Sequence, residues 1–316
     1  MRTWSRVAGL LLAAAGTVLA AEGDLGRWET KAPAPSKRTE VAAAAIDSKI
    51  YVVGGFTMLG ATGRLDVYDT VADRWETKRA MPASLHHVGV GAVGGKLYVI
   101  GGFGGSLFWK PVDTVYEYDP AADRWTKKAP MPTKRGGLAV AVREGLLYAV
   151  GGLGEQDANT GALEVYDPLT DRWSALPPMP TPRDHLAVAI VGDLLVTAGG
   201  RLKSSYAENL GTVEVFNLQT KEWRSGAPMP TPRSGIAAVA LGRHVLVVGG
   251  EAPSGTFHEN EVYGPVADRW VPLAPMPTAR HGLGAAVVGE RVYVIAGGPK
   301  PGGSFSDVNE VFMWQP

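Results

Sequence analysis

The chain of 316 residues contains no cysteine. That absence excludes disulfide scaffolding, thiolate metal sites, a cysteine nucleophile and any tyrosine–cysteine thioether. An excess of charge is missing as well: 31 Lys and Arg stand against 31 Asp and Glu. Nothing in such a balance suits the phosphate backbone of nucleic acid or an anionic lipid surface, so neither is expected as a partner. No window keeps a helical period, and beyond residue 21 no apolar run is long enough to span a bilayer. What is abundant is punctuation. With 41 Gly and 23 Pro, about a fifth of the chain consists of turn-forming residues, against an average nearer 12%.

The first residues read as an address. Arg2 and Arg6 precede an apolar stretch over 7–19, and Val18-Leu19-Ala20 or Leu19-Ala20-Ala21 supplies small residues for cleavage. This is the layout of a secretory signal peptide over 1–21. No cysteine follows that would carry a lipid. The expected mature chain, 22–316, holds 29 basic and 31 acidic residues. It is expected to be secreted or periplasmic, to have no membrane span, and to be monomeric.

The punctuation is periodic. Glycine doublets recur at 54–55, 101–102, 151–152, 199–200, 249–250 and 297–298. Trp28, Trp75, Trp125, Trp173, Trp223 and Trp270 follow the same period, and proline turns such as Met131-Pro132 and Met179-Pro180 lie between each Trp and the next doublet. Units of about 49 residues therefore fill the mature chain as one repeating domain. Each unit holds four strand-like runs. Run a is small and apolar (Leu138-Ala139-Val140-Ala141-Val142), run b is bulkier and ends in the doublet, run c reads Leu163-Glu164-Val165-Tyr166-Asp167, and run d starts at the Trp. Small residues in run a suit a strand packed near a common axis, and four-stranded units set radially make a propeller.

An apolar strand ending in Gly-Gly, a Tyr-Asp strand end and a Trp six or seven residues later resemble the kelch repeat, over about residues 25–316. The resemblance implies an all-β, six-bladed kelch β-propeller of four-stranded antiparallel blades, of the exported bacterial type. The chain ends fit a closed ring. Gly26-Arg27-Trp28-Glu29-Thr30 matches run d without a preceding a, b or c, while Asn309-Glu310-Val311-Phe312 matches run c without a following d. The N-terminal strand d is therefore expected to join the C-terminal strands a–c. Blade 6 has one extra residue before its doublet, which reads as a bulge.

Two repeated charges vary together. Arg38, Arg135, Arg183, Arg233 and Arg280 stand third after the proline turn, and Asp66, Glu164, Glu214, Glu261 and Glu310 stand two residues before the strand-c aromatic. Blade 2 has Leu85 and Tyr116 instead, losing both partners at once. Five structural ion pairs are expected, each guanidinium lying across the bare doublet and gripping its carboxylate in a bidentate fork.

In the kelch family, ligand contacts come from the b–c loops and from residues just after the repeated Arg. Carried onto this chain, the loops are 56–64, 103–113, 153–162, 201–211, 251–259 and 299–308. Phe103, Phe108, Trp109 and Tyr206 offer flat apolar surface there, and Arg201, Glu251 and His258 offer polar handles. His87, His185 and His281 fall on the same face. They come mainly from alternate blades and are expected to line the channel mouth apart from one another. His86 and His87, as neighbours on a strand, are expected to point to opposite sides. Neither a metal site nor a cofactor is expected. The resulting expectation is a binding module for a protein or glycan, without catalysis. The alternative is a carbohydrate-active enzyme resembling sialic acid mutarotases, for which Glu40, His185 and Glu251 are the acid/base candidates. The copper-radical oxidases among kelch-like enzymes are disfavoured by the missing cysteine.

Overall fold

The computed structural model describes residues 25–107 and 109–314. The proposed signal peptide and Phe108 lie outside the described residues. Among these the chain forms six four-stranded antiparallel sheets. Blade 1 comprises strands a to d at Ala42–Ile46, Lys49–Val53, Leu65–Asp69 and Arg74–Lys78. Blades 2 to 5 repeat this order, from Gly89–Val93 through Arg269–Pro272. Blade 6 combines Gly284–Val288, Arg291–Ile295 and Asn309–Met313 with Arg27–Thr30 from the start of the chain. There Trp28 stands opposite Phe312 in antiparallel register.

The a strands touch in cyclic order, and a belt of backbone hydrogen bonds runs from blade to blade above them. His87 N donates to Glu40 O, Gly137 N to His87 O, His185 N to Gly137 O, Gly235 N to His185 O, Gly282 N to Gly235 O, and Val41 N to Gly282 O. The belt closes at Val41, next to Glu40, and so ties each blade to the next all the way around the axis.

The apolar core is a set of wedges between neighbouring sheets. One such wedge packs Val53, Leu65 and Val67 of blade 1 against Leu97, Val99 and Tyr118 of blade 2. The repeat tryptophans bolt the wedges at the rim. Each Nε1 donates to a backbone carbonyl of the preceding blade, as Trp75 to Ala32 and Trp270 to Ala227, both at 2.8 Å. Trp28 makes the same bond to Ala274 across the chain ends at 2.8 Å. In blades 1, 2, 3 and 5 the strand-c tyrosine adds a bond to the Asp of the c–d turn, and that carboxylate also accepts a backbone N–H from the preceding blade.

The glycine doublet has a geometric cause. Gly151 and Gly152 have φ of 63° and 110°, two successive left-handed residues that favour glycine. A Cβ on Gly151 would lie 2.8 Å from the Arg183 carbonyl oxygen of the next blade, to which Gly152 N donates. In blade 6 this place is taken by Ala296 and Gly297, with φ of 58° and 95°, and Gly297 N makes the matching bond to Arg38 O. The expected bulge is therefore absent. The doublet letters at 297–298 are shifted by one against the other blades because Ala296 adopts the first left-handed conformation itself.

Candidate functional site

The five repeated arginines are buried completely, with no side-chain exposure. Arg38 meets Asp66 at 2.9 Å, Arg135 meets Glu164 at 3.0 Å, Arg183 meets Glu214 at 2.5 Å and Arg280 meets Glu310 at 2.8 Å, while Arg233 pairs with Glu261. The expected bidentate fork is not what forms. One guanidinium nitrogen takes the carboxylate and the guanidinium also donates to backbone carbonyls, as Arg233 does with Nε to Gly249, Nη1 to Thr231 and Nη2 to Val247. Strand b passes beneath the guanidinium and offers those carbonyls within reach. The second carboxylate oxygen accepts from a threonine of the proline turn: Thr133, Thr181, Thr231 and Thr278. These threonines recur in the sequence one position after the Met-Pro pair and complete the pairs. In blade 2 the buried Leu85 and the partly buried Tyr116 join an apolar wedge in their place.

Immediately above these pairs lies the belt. Its six equivalent positions are Glu40, His87, Gly137, His185, Gly235 and Gly282, and all have φ between 52° and 65°. Glycine is the residue such a backbone prefers; an L side chain costs about 1–2 kcal/mol there, less for His than for Glu. Three of six belt positions nevertheless carry long polar side chains. The glycines between them leave the room they occupy. A Cβ on Gly282 would lie 2.6 Å from the Glu40 carboxyl carbon, and one on Gly137 would lie 3.1 Å from His185 Nδ1.

These side chains converge. The rings of His87 and His185 meet edge to face with centroids 4.7 Å apart. The expectation of separated histidines fails because the belt is narrow enough for side chains of different blades to touch across it. His86 and His87 also point the same way, their Nδ1 atoms 2.5 Å apart, because the left-handed turn at His87 breaks strand alternation. His86 Nε2 bonds the Gly105 carbonyl at 3.1 Å. Burial pushes the His86 imidazole down to about 4 and holds His87 well below its usual value.

Glu40 faces His87 Nε2 at 3.1 Å and His281 Nε2 at 3.5 Å. Glu251 faces His281 at 3.5 Å and Arg201 at 2.7 Å. Arg201 also lies 3.5 Å from Asp184, which pairs with His185 Nδ1. Burial works against ionisation of both Asp184 and Glu251. Neighbouring cationic and donor groups outweigh it, chiefly His185 for Asp184 and His281 with Arg201 for Glu251, and both carboxyls sit below their usual range.

Over this floor opens a cavity of about 330 Å³. Phe56, Trp109, Tyr206 and Phe305 form its walls, and Glu40, His87, Arg201, Glu251 and His281 line its base. It adjoins the channel, a narrower space of about 150 Å³ that Glu40, His87 and His185 also line. Seven of the sequence-derived candidates thus share this pocket: Glu40, His87, Trp109, Arg201, Tyr206, Glu251 and His281. His185 lies below it at the neck of the channel. Two others are elsewhere. Phe103, expected as flat surface, is 1% exposed, because its short strand pairs with His86 and Pro111 and turns the ring inward beneath Trp109. His258 is exposed and bonds the Met276 carbonyl at 2.6 Å, outside the pocket lining. Sequence reasoning missed Asp184 and Phe56. Asp184 directly follows Arg183, the place His86 and His281 hold in their blades, and that shared column was the available signal.

The model for the KLHDC2/KLHL20/DRC7 Kelch-repeats domain matches residues 137–313, and the Kelch motif matches 37–82 and 84–132. The chain belongs to the kelch-repeat family. No curated protein matches this kelch chain. A solved structure described as the structure of YjhT superposes with a TM-score of 0.78 at 17% identity, covering 91% of this chain and 98% of that one. At that identity the likeness concerns the fold. Kelch domains serve as binding modules, and no helix among the described residues is long and apolar enough to cross a membrane.

Proposed function

We propose that this kelch propeller is an exported, monomeric binding module that takes a terminal sugar of a glycan into the mouth pocket. The carrying observation is the pocket itself: four aromatic walls over a floor of paired, buried charges, in about 330 Å³. That volume is at the small end for ligand sites. It fits one or two sugar rings, whereas a stable protein epitope needs roughly 800 Å² per partner. Aromatic faces take the apolar side of a pyranose, and the carboxylates and guanidinium take its hydroxyls.

A glycan and peptide array on mature protein, followed by titration of the hits, tests the reading. Trp109→Ala and Tyr206→Ala are each expected to weaken glycan binding about tenfold, equivalent to about 1.4 kcal/mol, without lowering the melting temperature. Binding of peptides alone, or glycan binding unchanged in both variants, overturns it.

A second reading, a carbohydrate-active enzyme acting by proton transfer, draws support from Glu40. This carboxylate lines the pocket between two imidazoles, the arrangement an acid/base at a sugar carbon requires. Glu251 shares the pocket, and His185, in the same belt as Glu40, lines the adjoining neck. Faster interconversion of the bound sugar's isomers by wild type than by Glu40→Gln, followed by NMR, would favour this reading over plain binding.

A further inference from the structure

The neck beneath the pocket carries an arrangement that ligand recognition does not explain. Each of its imidazoles has Nδ1 engaged away from the axis. His185 Nδ1 is held by Asp184, and His281 Nδ1 contacts the Gly298 carbonyl at 3.1 Å. His87 Nδ1 contacts His86 Nδ1, whose ring is set in turn by the Gly105 carbonyl accepting from Nε2. This chain of bonds leaves the Nε2 atoms of His87 and His185 turned inward without hydrogen-bond partners, although their side chains are only 3% and 2% exposed. A proton on His185 Nε2 would be a buried donor with no acceptor, so that nitrogen presents a lone pair. His87 Nε2 lies 3.1 Å from Glu40 Oε2 but off the line an N–H would need.

Charge points the same way. The carboxylates of Asp184 and Glu251 flank the guanidinium of Arg201, while Glu40 stands beside the imidazoles of His87 and His281. Ligation requires uncharged imidazoles, and three carboxylates would then stand against one guanidinium, a deficit that a divalent cation compensates.

We propose that the neck binds one divalent transition-metal ion of the zinc type, ligated by Glu40, His87 Nε2 and His185 Nε2. One ligand atom from each of the three residues lies within 4.8 Å of the others. Zinc–nitrogen bonds of about 2.0–2.1 Å put tetrahedral ligand atoms about 3.4 Å apart, so closure needs only small side-chain movements. Two His and one carboxylate leave a fourth position for water or for an oxygen of a pocket ligand. Asp184 behind His185 is the outer carboxylate that fixes a ligating imidazole in its tautomer. The proposal goes beyond sugar binding and does not depend on it, since the test contains no carbohydrate.

The mature chain is stripped with a chelator, reloaded with zinc, dialysed and assayed for bound metal by mass spectrometry. Affinity follows from competition with a chromophoric chelator, and cobalt supplies a visible spectrum that reports nitrogen and oxygen ligation. One ion per chain is expected. Glu40→Gly and His87→Gly are expected to weaken zinc binding at least a hundredfold. Glycine already occupies three belt positions of the same backbone conformation, so Glu40→Gly is expected to keep or raise the melting temperature of the metal-free chain. That separates a lost ligand from a lost fold. His258→Ala is expected to bind as wild type does. Failure of the wild type to retain zinc, a stoichiometry of two, or unchanged affinity in both glycine variants overturns the proposal.

Discussion

The arginine layer and the belt above it are separated by two residues in the chain, yet they follow opposite rules. In the arginine layer five blades carry the same pair, and the sixth replaces both members together. In the belt the backbone is the same six times over, while the side chains are Glu, His, Gly, His, Gly and Gly. The difference follows from what each layer touches. An arginine meets its own blade and the edge of the preceding one, so each copy faces the same packing problem and reaches the same solution. Belt residues meet one another around the axis. They build a single shared space, which six identical side chains would block or leave bare. In a propeller of this kind, repetition marks residues that hold blades, and departure from repetition marks residues that address a ligand.

Four experiments press on that contrast. The largest effect is expected in the arginine layer. Glu214→Ala leaves Arg183 buried without its counter-charge and should destabilise by about 3–5 kcal/mol, read as a shift in denaturant midpoint at constant slope. The double change Arg183→Leu with Glu214→Tyr, copying blade 2, should recover most of that loss. If it is as damaging as Glu214→Ala, the pairs are not interchangeable with apolar packing.

In the belt the sign should reverse. Glu40→Gly removes a side chain from a left-handed backbone and should stabilise the metal-free chain by roughly 1 kcal/mol. A fall in stability would mean that the belt side chains support the fold as the arginines do.

At the rim, Trp270→Phe retains a smaller aromatic ring but deletes the bond to Ala227 O, and should cost at least about 1 kcal/mol. Thermal melts of both proteins at one pH suffice to read it.

The smallest effect concerns acid. Hydrogen bonds from Tyr68, Tyr118 and Tyr263, joined by backbone N–H donors, hold Asp73, Asp123 and Asp268 below the unperturbed value of 3.8. A depressed carboxyl pKa contributes stability that is complete above the unfolded value and disappears as pH falls through the folded one. Melting temperature should therefore begin to drop as pH falls through about 4, and Asp123→Asn should flatten that drop. Blade 4, with Phe216 and Lys221 at these places, has no such pair to lose.

The blades were legible because their determinants are local and repeated. Tryptophan spacing, doublets and joint loss of Leu85 and Tyr116 from the charge pattern all lie within one repeat length. The single-nitrogen grip of arginine on acid was not legible, since it depended on carbonyls that strand b presents only after pairing. Nor was the shifted doublet at Ala296, where a backbone conformation outweighed the letters. At the pocket, residue types on the loops indicated a face but not which members would meet. His258 and Phe103 belong to the same loops as Glu251 and Trp109, and their different fates were set by short strand pairs and a proline-turn carbonyl.

What the amino-acid sequence determined alone is the blade: four short strands, a rim tryptophan, and an arginine with its acid, because each of these is satisfied by near neighbours in the chain. What only the tertiary structure decided is the convergence of Glu40, His87, His185, Arg201, Glu251 and His281. Their proximity arises from closing the ring, which brings together residues separated by up to about 240 positions, and no local pattern encodes the distance across an axis.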